Sequence, residues 1–351
     1  MGDLDRQPEL GEALPLLEIK GLSKHYFLNA GLWRRLRRKP ETVLHAVDNV
    51  SLNINRGENF GLVGESGSGK TTLGRCLLRL IEPSAGQVLY KGQDVVGMPR
   101  AEMQRIRRKM QMIFQDPYSS LNPRMTVGQM LGEVLTVHRL CAPRLVNARI
   151  QELLHLVGLP ADATQRYPRH FSGGQRQRIG IARALAVEPE FIVADEPVSA
   201  VDVSTQAQVL NLLLELKAQL GLTLLFIAHD LSVVQYISTR VGVMYLGKIV
   251  EIAPRKILFA HPRHPYTQGL LLAAPQPDPF HHTTHVAIEG ELPSPLNPPP
   301  GCRFHTRCYL ASARCREEEP LLQEIGGGQS VACHHQELAV WPRQLKVDRH
   351  G

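Results

Sequence analysis

Residues 60–72, FGLVGESGSGKTT, decide the fold. Phe60–Val63 read as a short apolar strand, and GESGSGKT at 64–71 satisfies GxxxxGK[ST]. The continuation KTTLGRCLLRLI places leucines at helical spacing, so strand, glycine-rich loop and helix follow in the order a phosphate-binding loop requires. Gly64, Glu65, Ser66, Gly67, Ser68 and Gly69 form the loop, whose glycines let backbone N–H groups close around a β-phosphate. The helix beginning at Lys70 aims its positive end at the same charge. Lys70 is placed to reach β- and γ-phosphate oxygens, and Thr71, followed by Thr72, to ligate Mg²⁺ through its hydroxyl. The expected ligand is a nucleoside triphosphate with Mg²⁺.

Hydrolysis also needs a carboxylate for the metal and a group that prepares the attacking water. FIVADE at 191–196 supplies both at the C-terminal end of an apolar strand, where open α/β sheets bind ligands. Asp195 is expected to hold Mg²⁺ through water and Glu196 to act as general base, the two pointing to opposite sides because they are neighbours on a strand. A second anion cradle lies at FSGGQRQRIGIARAL: Ser172 is a good N-cap, Gly173 and Gly174 expose backbone N–H groups ahead of Gln175, and a helix follows. Since one loop already surrounds the β-phosphate, the second cradle is expected to cover the γ-phosphate of a nucleotide held by another subunit.

Working outward, 16–118 is strand-rich, about 119–186 takes a helical period, and strands resume at 191–196, 222–230 and 241–253 with a helix at 205–219. Alternating β and α segments predict a parallel sheet. Proline and glycine rise past about residue 267. The expected organisation is an N-terminal tail (1–15), an ATPase domain (16–267) with an inserted helical subdomain, and a C-terminal extension (268–351). The fold class is α/β, a P-loop NTPase cassette whose extension is small, irregular and cysteine-containing.

The 351 residues are 43% hydrophobic and 21% charged, which fits a globular chain and excludes a disordered one. No run reaches the 18 or so apolar residues of a membrane span, and the acidic, polar first twenty residues do not read as a secretory signal, so a cytosolic chain is expected. The net charge of +7 includes two basic clusters, Arg34, Arg35, Arg37, Arg38 and Lys39, then Arg105, Arg107, Arg108 and Lys109. These read as solvated faces, with nucleic acid or acidic lipid as the alternatives.

GESGSGKT, Gln115 in MIFQDP, FSGGQ, FIVADE, the SAVD turn at 199–202 and His229 in FIAHD stand in the order of the ABC ATPase family, which the chain resembles over about residues 16–260. That resemblance implies ATP as the nucleotide and a sandwich dimer in which Lys70 and Asp195 face Ser172 and Gly174 of the partner. It implies that Gln115 senses Mg²⁺ and the membrane partner, that His229 contacts the γ-phosphate, and that Tyr26 in KHYF stacks on adenine. FSGGQ and SAVD depart from the commoner LSGGQ and SALD but keep the residues that touch nucleotide or align the dimer.

SSLNPRMTVGQ, DEPVSAVDVSTQAQVLNLL, HPRHPYTQGLL and ELPSPLNPPPGCRFHTRC further resemble the oligopeptide and dipeptide importer group, to about residue 335. This implies a second, non-identical ATPase subunit, two transmembrane permease subunits and an extracytoplasmic solute-binding protein, with the chain at the cytoplasmic face of the inner membrane. Peptide is the expected solute; glutathione, nickel chelates and antimicrobial peptides fit the same architecture. The rival class, a soluble ABC ATPase acting on nucleic acid, would carry two cassettes or long coiled-coil insertions. This chain has neither, so no nucleic-acid partner is expected.

Cys302, Cys308, Cys315 and Cys333 crowd the last fifty residues at spacings that match neither zinc-finger pairs nor a ferredoxin run. A [4Fe–4S] cluster, zinc and free thiols are all open from the residues; the resemblance to importer tails implies the cluster. His281, His282, His285, His334 and His335 read as solvated histidines.

Overall fold

The computed structural model of the chain describes residues 15–28, 42–199, 201–273, 288 and 290–337. The expectations placed on residues 1–14, on the Arg34–Lys39 cluster, on Ala200 and on His281, His282 and His285 lie outside the described residues.

The strands are β1 (Leu17–Leu28), β2 (Thr42–Ile54), β3 (Asn59–Val63), β4 (Ala85–Tyr90), β5 (Gln93–Asp94), β6 (Met110–Ile113), β7 (Phe191–Asp195), β8 (Thr223–Ile227), β9 (Arg240–Tyr245), β10 (Lys248–Pro254), β11 (Gln323–Gly326) and β12 (Gln329–Val331). The helices are α1 (Lys70–Leu77), α2 (Arg100–Lys109), α3 (Pro117–Ser120), α4 (Val127–Val137), α5 (Val146–Leu156), α6 (Gly173–Leu185), α7 (Val203–Leu220), α8 (Leu231–Ile237), α9 (Arg255–Ala260), α10 (Pro265–Ala273) and α11 (Ala313–Glu317).

Two sheets divide the strands. An antiparallel sheet runs β2-β1-β4-β5, and an eight-stranded sheet runs β11-β12-β10-β9-β3-β8-β7-β6. Strands β6, β7, β8, β3 and β9 are parallel. Every residue of β3, β7 and β8 is buried, because helices and the second sheet cover both faces and both must be apolar. Helix α1 lies between the sheets, with Leu73, Cys76 and Leu77 in the core. At Gly74 a Cβ would stand 2.9 Å from Val193 and 3.0 Å from Ile227, so the small residue sets how closely α1 approaches the strands.

The stretch 241–253, expected as one strand of the parallel sheet, is instead two antiparallel strands. It forms a hairpin, because Leu246 (φ 42°) and Gly247 (φ 84°) both adopt left-handed conformations and reverse the chain in two residues. Leucine is a poor turn signal, which is why the run reads as continuous in sequence. The extension is also less irregular than expected. Strand β12 pairs antiparallel with β10 through Glu251↔Val331 and Ile252↔Ser330, satisfying an edge that would otherwise present unpaired backbone groups.

Between β6 and β7 only helical elements occur, and α4 and α6 each begin with a complete capping box, Thr126 with Gln129 and Ser172 with Gln175. The Arg105–Lys109 cluster lies on α2. Part of it is used structurally: Arg107 donates to the carbonyl of Arg79, and Lys109 lies 3.8 Å from Glu190. None of the helices among the described residues is long and apolar enough to cross a membrane.

Candidate functional site

The phosphate loop joins β3 to α1 at the C-terminal edge of the main sheet. Gly64, Gly67 and Gly69 have φ of 153°, 79° and 104°. A Cβ at Gly64 would meet the Met244 carbonyl at 2.1 Å, and one at Gly69 the Ala46 carbonyl at 2.0 Å, so only glycine fits either place. Lys70 Nζ lies inside the loop and donates to the carbonyls of Gly64 (2.7 Å) and Glu65 (3.0 Å) and to Ser68 Oγ (3.4 Å). Burial holds its pKa below the ordinary lysine value against the pull of Glu196, Asp195 and Glu65.

Thr71 Oγ1 donates to Asp195 Oδ1 at 2.8 Å, joining the first turn of α1 to the end of β7. A hydroxyl and a carboxylate side by side are the hard oxygen ligands Mg²⁺ takes. Asp195 is 1% exposed, and burial raises its pKa, so a divalent cation suits it better than solvent does. The residues present therefore fit the metal.

The geometry of Glu196 differs from the strand alternation expected of it. It has left β7 and takes φ 43°, its N–H donating to the Ile227 carbonyl. A glutamate in the left-handed region is strained, as functional sites often are. The turn, not strand pleating, separates its carboxylate from that of Asp195. Gln115 Nε2 donates to Glu196 Oε2 at 2.9 Å, and His229 Nδ1 lies 3.1 Å from the same oxygen. The fold thus brings together Lys70, Thr71, Gln115, Asp195, Glu196 and His229 from four separate stretches of sequence.

Other expected residues stand apart from that group. Ser172 caps α6, accepting from Gln175 N–H at 3.3 Å while Gln175 Oε1 accepts from Ser172 N–H at 3.0 Å. Among the described residues no hydrogen bond or ion pair joins Ser172–Gln175 to residues 64–71. Gly174 has a local reason as well: a Cβ there would meet Thr205 Cγ2 of α7 at 2.1 Å. Tyr26 is half-buried on β1, paired with Leu44, and Lys24 Nζ sits 4.9 Å from its ring centroid.

Sequence reasoning missed the contacts that the chain from β10 onward makes with the phosphate loop. Arg307 grips Glu65 with both guanidinium nitrogens, NH1 to Oε2 at 2.9 Å and NH2 to Oε1 at 3.2 Å. Tyr266 Oη accepts the Glu65 N–H at 2.8 Å. Tyr266 packs, tilted, against Tyr245 and Phe304 at centroid distances of 4.6 and 5.4 Å. Arg303 bonds the Leu246 carbonyl and Asp48. Beneath them Glu251 is fully buried and accepts from the N–H groups of Arg263 and His264 and from Gln329, fixing the start of α10. The only sequence signal was that HPYT and GCRFHTRC follow a cassette that is already complete.

All six cysteines are free. Burial and neighbouring thiols push Cys302, Cys308 and Cys333 up to about 11, and Cys315 contributes to all three. The four sulfurs are therefore electrostatic neighbours. Among the described residues no three of them lie within 4.8 Å of one another. A single zinc at about 2.3 Å from each sulfur would bring its ligands to roughly 3.8 Å, closer than any three of these sulfurs stand.

The family profile described as ABC transporter matches residues 47–199, and the one described as oligopeptide/dipeptide transporter, C-terminal region, matches 250–315. A putative peptide import ATP-binding protein of Brucella ovis is 54% identical over 321 residues, covering 91% of this chain and 97% of that protein. The putative oligopeptide transport ATP-binding protein YkfD of Bacillus subtilis is 53% identical, covering 92% and 95%. Among solved structures, the post-hydrolysis dimer of the ATP-binding cassette MJ0796 bound to ADP and Pi is similar with a TM-score of 0.59 at 28% identity, over 68% of this chain and 98% of that one. With a phosphate loop, paired carboxylates and importer-type extension on one fold, the chain belongs to the ATP-hydrolysing cassettes of the ABC transporter family.

Proposed function

We propose that the chain is the ATPase subunit of a peptide importer. It pairs with a second, non-identical ATPase beneath two permease subunits at the cytoplasmic face of the inner membrane, and an extracytoplasmic solute-binding protein delivers the peptide. The observation that carries the catalytic reading is the convergence of Gln115 and His229 on one oxygen of Glu196, beside the Thr71–Asp195 pair.

Both neighbours occupy Oε2, and no hydrogen bond to Oε1 is found among the described residues. Oε1 is the oxygen that accepts the proton of the attacking water, while Gln115 and His229 fix the carboxylate plane. Donation from both ring nitrogens, Nδ1 to Glu196 and Nε2 to a phosphate oxygen, requires the imidazolium form of His229. Lys70 exchanges its loop carbonyls for phosphate oxygens, and backbone N–H groups of residues 66, 67 and 69–71 hold the β-phosphate, the Glu65 N–H being held by Tyr266. Thr71 and Asp195 hold Mg²⁺, which when bound neutralises charge on the phosphates. Tyr26 receives the adenine. Ser172, Gly173, Gly174 and Gln175 complete the partner's site, since they lie away from this chain's own loop.

The cysteine tail belongs to the finer part of this reading. The resemblance to importer tails is what supports a [4Fe–4S] cluster on Cys302, Cys308, Cys315 and Cys333; iron and acid-labile sulfide in the anaerobically purified chain support it, and metal-free thiols in a fully active chain remove it.

The transport reading is tested by assembling the chain with its ATPase and permease partners in liposomes. ATP turnover is expected to rise when peptide-loaded binding protein is added. A turnover indifferent to loaded binding protein but raised by nucleic acid would overturn it.

A further inference from the structure

The hairpin that carries Tyr26 holds a second constellation. His25 on β1 and His45 on β2 are register partners with ring centroids 4.5 Å apart, and Asp48 follows on β2. One ring nitrogen of each histidine and one carboxylate oxygen of Asp48 lie within 4.8 Å of one another. His25 Nε2 and His45 Nδ1 are both buried and make no hydrogen bond. His25 Nε2 is 3.9 Å from Asp48 Oδ1, too far for a hydrogen bond but suited to a shared ion. Two buried imidazole nitrogens side by side without hydrogen-bond partners are unfavourable, and a cation between them would remove both penalties.

Asp48 is set up to supply the third ligand. Its Oδ2 is occupied by Arg303 and by Lys248 Nζ at 3.4 Å, which leaves Oδ1 turned to the histidines. Although burial works the other way, Lys248 and Arg303 hold this carboxyl below the usual aspartate range. Burial and the neighbouring His25 hold His45 below the ordinary histidine value.

We propose that His25 Nε2, His45 Nδ1 and Asp48 Oδ1 form a binding site for a divalent cation of the zinc class, separate from the nucleotide's Mg²⁺ and from the cysteine tail. Two imidazoles and a carboxylate are ligands zinc accepts, whereas Mg²⁺ prefers oxygen alone. Arg303 and Lys248 act as the outer layer that orients the ligating carboxylate. Because Arg303 comes from the extension and His25 precedes Tyr26, the ion ties the adenine platform to the tail.

The test uses the full-length chain stripped of metal and titrated with zinc against a chromophoric chelator. Wild type is expected to bind one more equivalent than His25→Gln or His45→Gln, whose affinity at this site falls by more than about a hundredfold. Cobalt(II) placed in that equivalent gives a spectrum without a thiolate charge-transfer band, which separates it from the cysteines and decides the matter even if a variant folds poorly. Zinc is also expected to raise the thermal midpoint of wild type but not of the variants. Equal stoichiometry in all three chains would overturn the site. So would a wild-type midpoint that responds to acid but not to zinc, the signature of an imidazolium paired with Asp48.

Discussion

Replacing Arg307 with alanine probes whether the extension is part of the nucleotide site. Its side chain is 7% exposed and Glu65 27% exposed, and the pair forms two parallel charge-assisted hydrogen bonds. Bonds of this type contribute about 1.5–3 kcal/mol each. Water can reach Glu65 and replace part of that, so a loss of about 2 kcal/mol in stability is expected. Glu65 lies in the phosphate loop, where its N–H still bonds Tyr266 and its carbonyl still accepts from Lys70 and the Ser68 N–H. If about 1.4 kcal/mol of the loss falls on loop order, ATP affinity drops roughly tenfold.

Fluorescent-nucleotide titration and thermal unfolding measure the two effects, and Arg307→Lys, which keeps the charge but not the fork, should fall between. Arg314→Ala is the control, because Arg314 and Glu318 are paired but 62% and 60% exposed, where an ion pair contributes little. An Arg307→Ala chain with the affinity and midpoint of Arg314→Ala would refute a role for the Arg307–Glu65 pair in ordering the phosphate loop.

Gly174→Ala should destabilise the chain by about 1–3 kcal/mol through the Thr205 methyl. Thr205→Ser in the same chain should recover most of that in chemical unfolding; no recovery would show that the packing reading is wrong. His264 is buried without charge, its pKa lowered to about 3 by burial, and its Nδ1 accepts the Tyr266 N–H. Between its unfolded pKa near 6.5 and about 3 the unfolded chain binds the extra proton. Stability contributed by His264 is therefore complete above about pH 6.5 and falls by about 1.4 kcal/mol per pH unit below it. His264→Asn, which can still accept that hydrogen bond, should show a shallower acid slope in urea unfolding; identical slopes would count against the assignment.

Much of the site was legible because its residues are short-range in sequence. GESGSGKT, FIVADE and FSGGQ each carry strand, loop or cap chemistry in a few consecutive residues, and all three form the local structures they predict. What escaped depends on side chains meeting across long separations. Arg307 and Glu65 are 242 residues apart, and nothing in either neighbourhood marks the other. The turn at Leu246 was hidden because a leucine occupies a left-handed position usually given to asparagine or glycine. Strands β11 and β12 were hidden because polar, glycine-rich segments become strands only when an existing edge accepts them. The position of Glu196 relative to Asp195 was misread for the same kind of reason: alternation holds only while the chain is extended, and the strand ends one residue earlier.

The most direct measurement is the ATP turnover of the full-length Glu196→Gln chain, with ATP binding measured in the same preparation. Glutamine preserves the bulk of the side chain but cannot take up the water's proton. Turnover is expected to fall by about 10²–10⁴-fold while the nucleotide still binds. Turnover within a few-fold of wild type, with binding intact, would contradict the assignment of this carboxylate as the base.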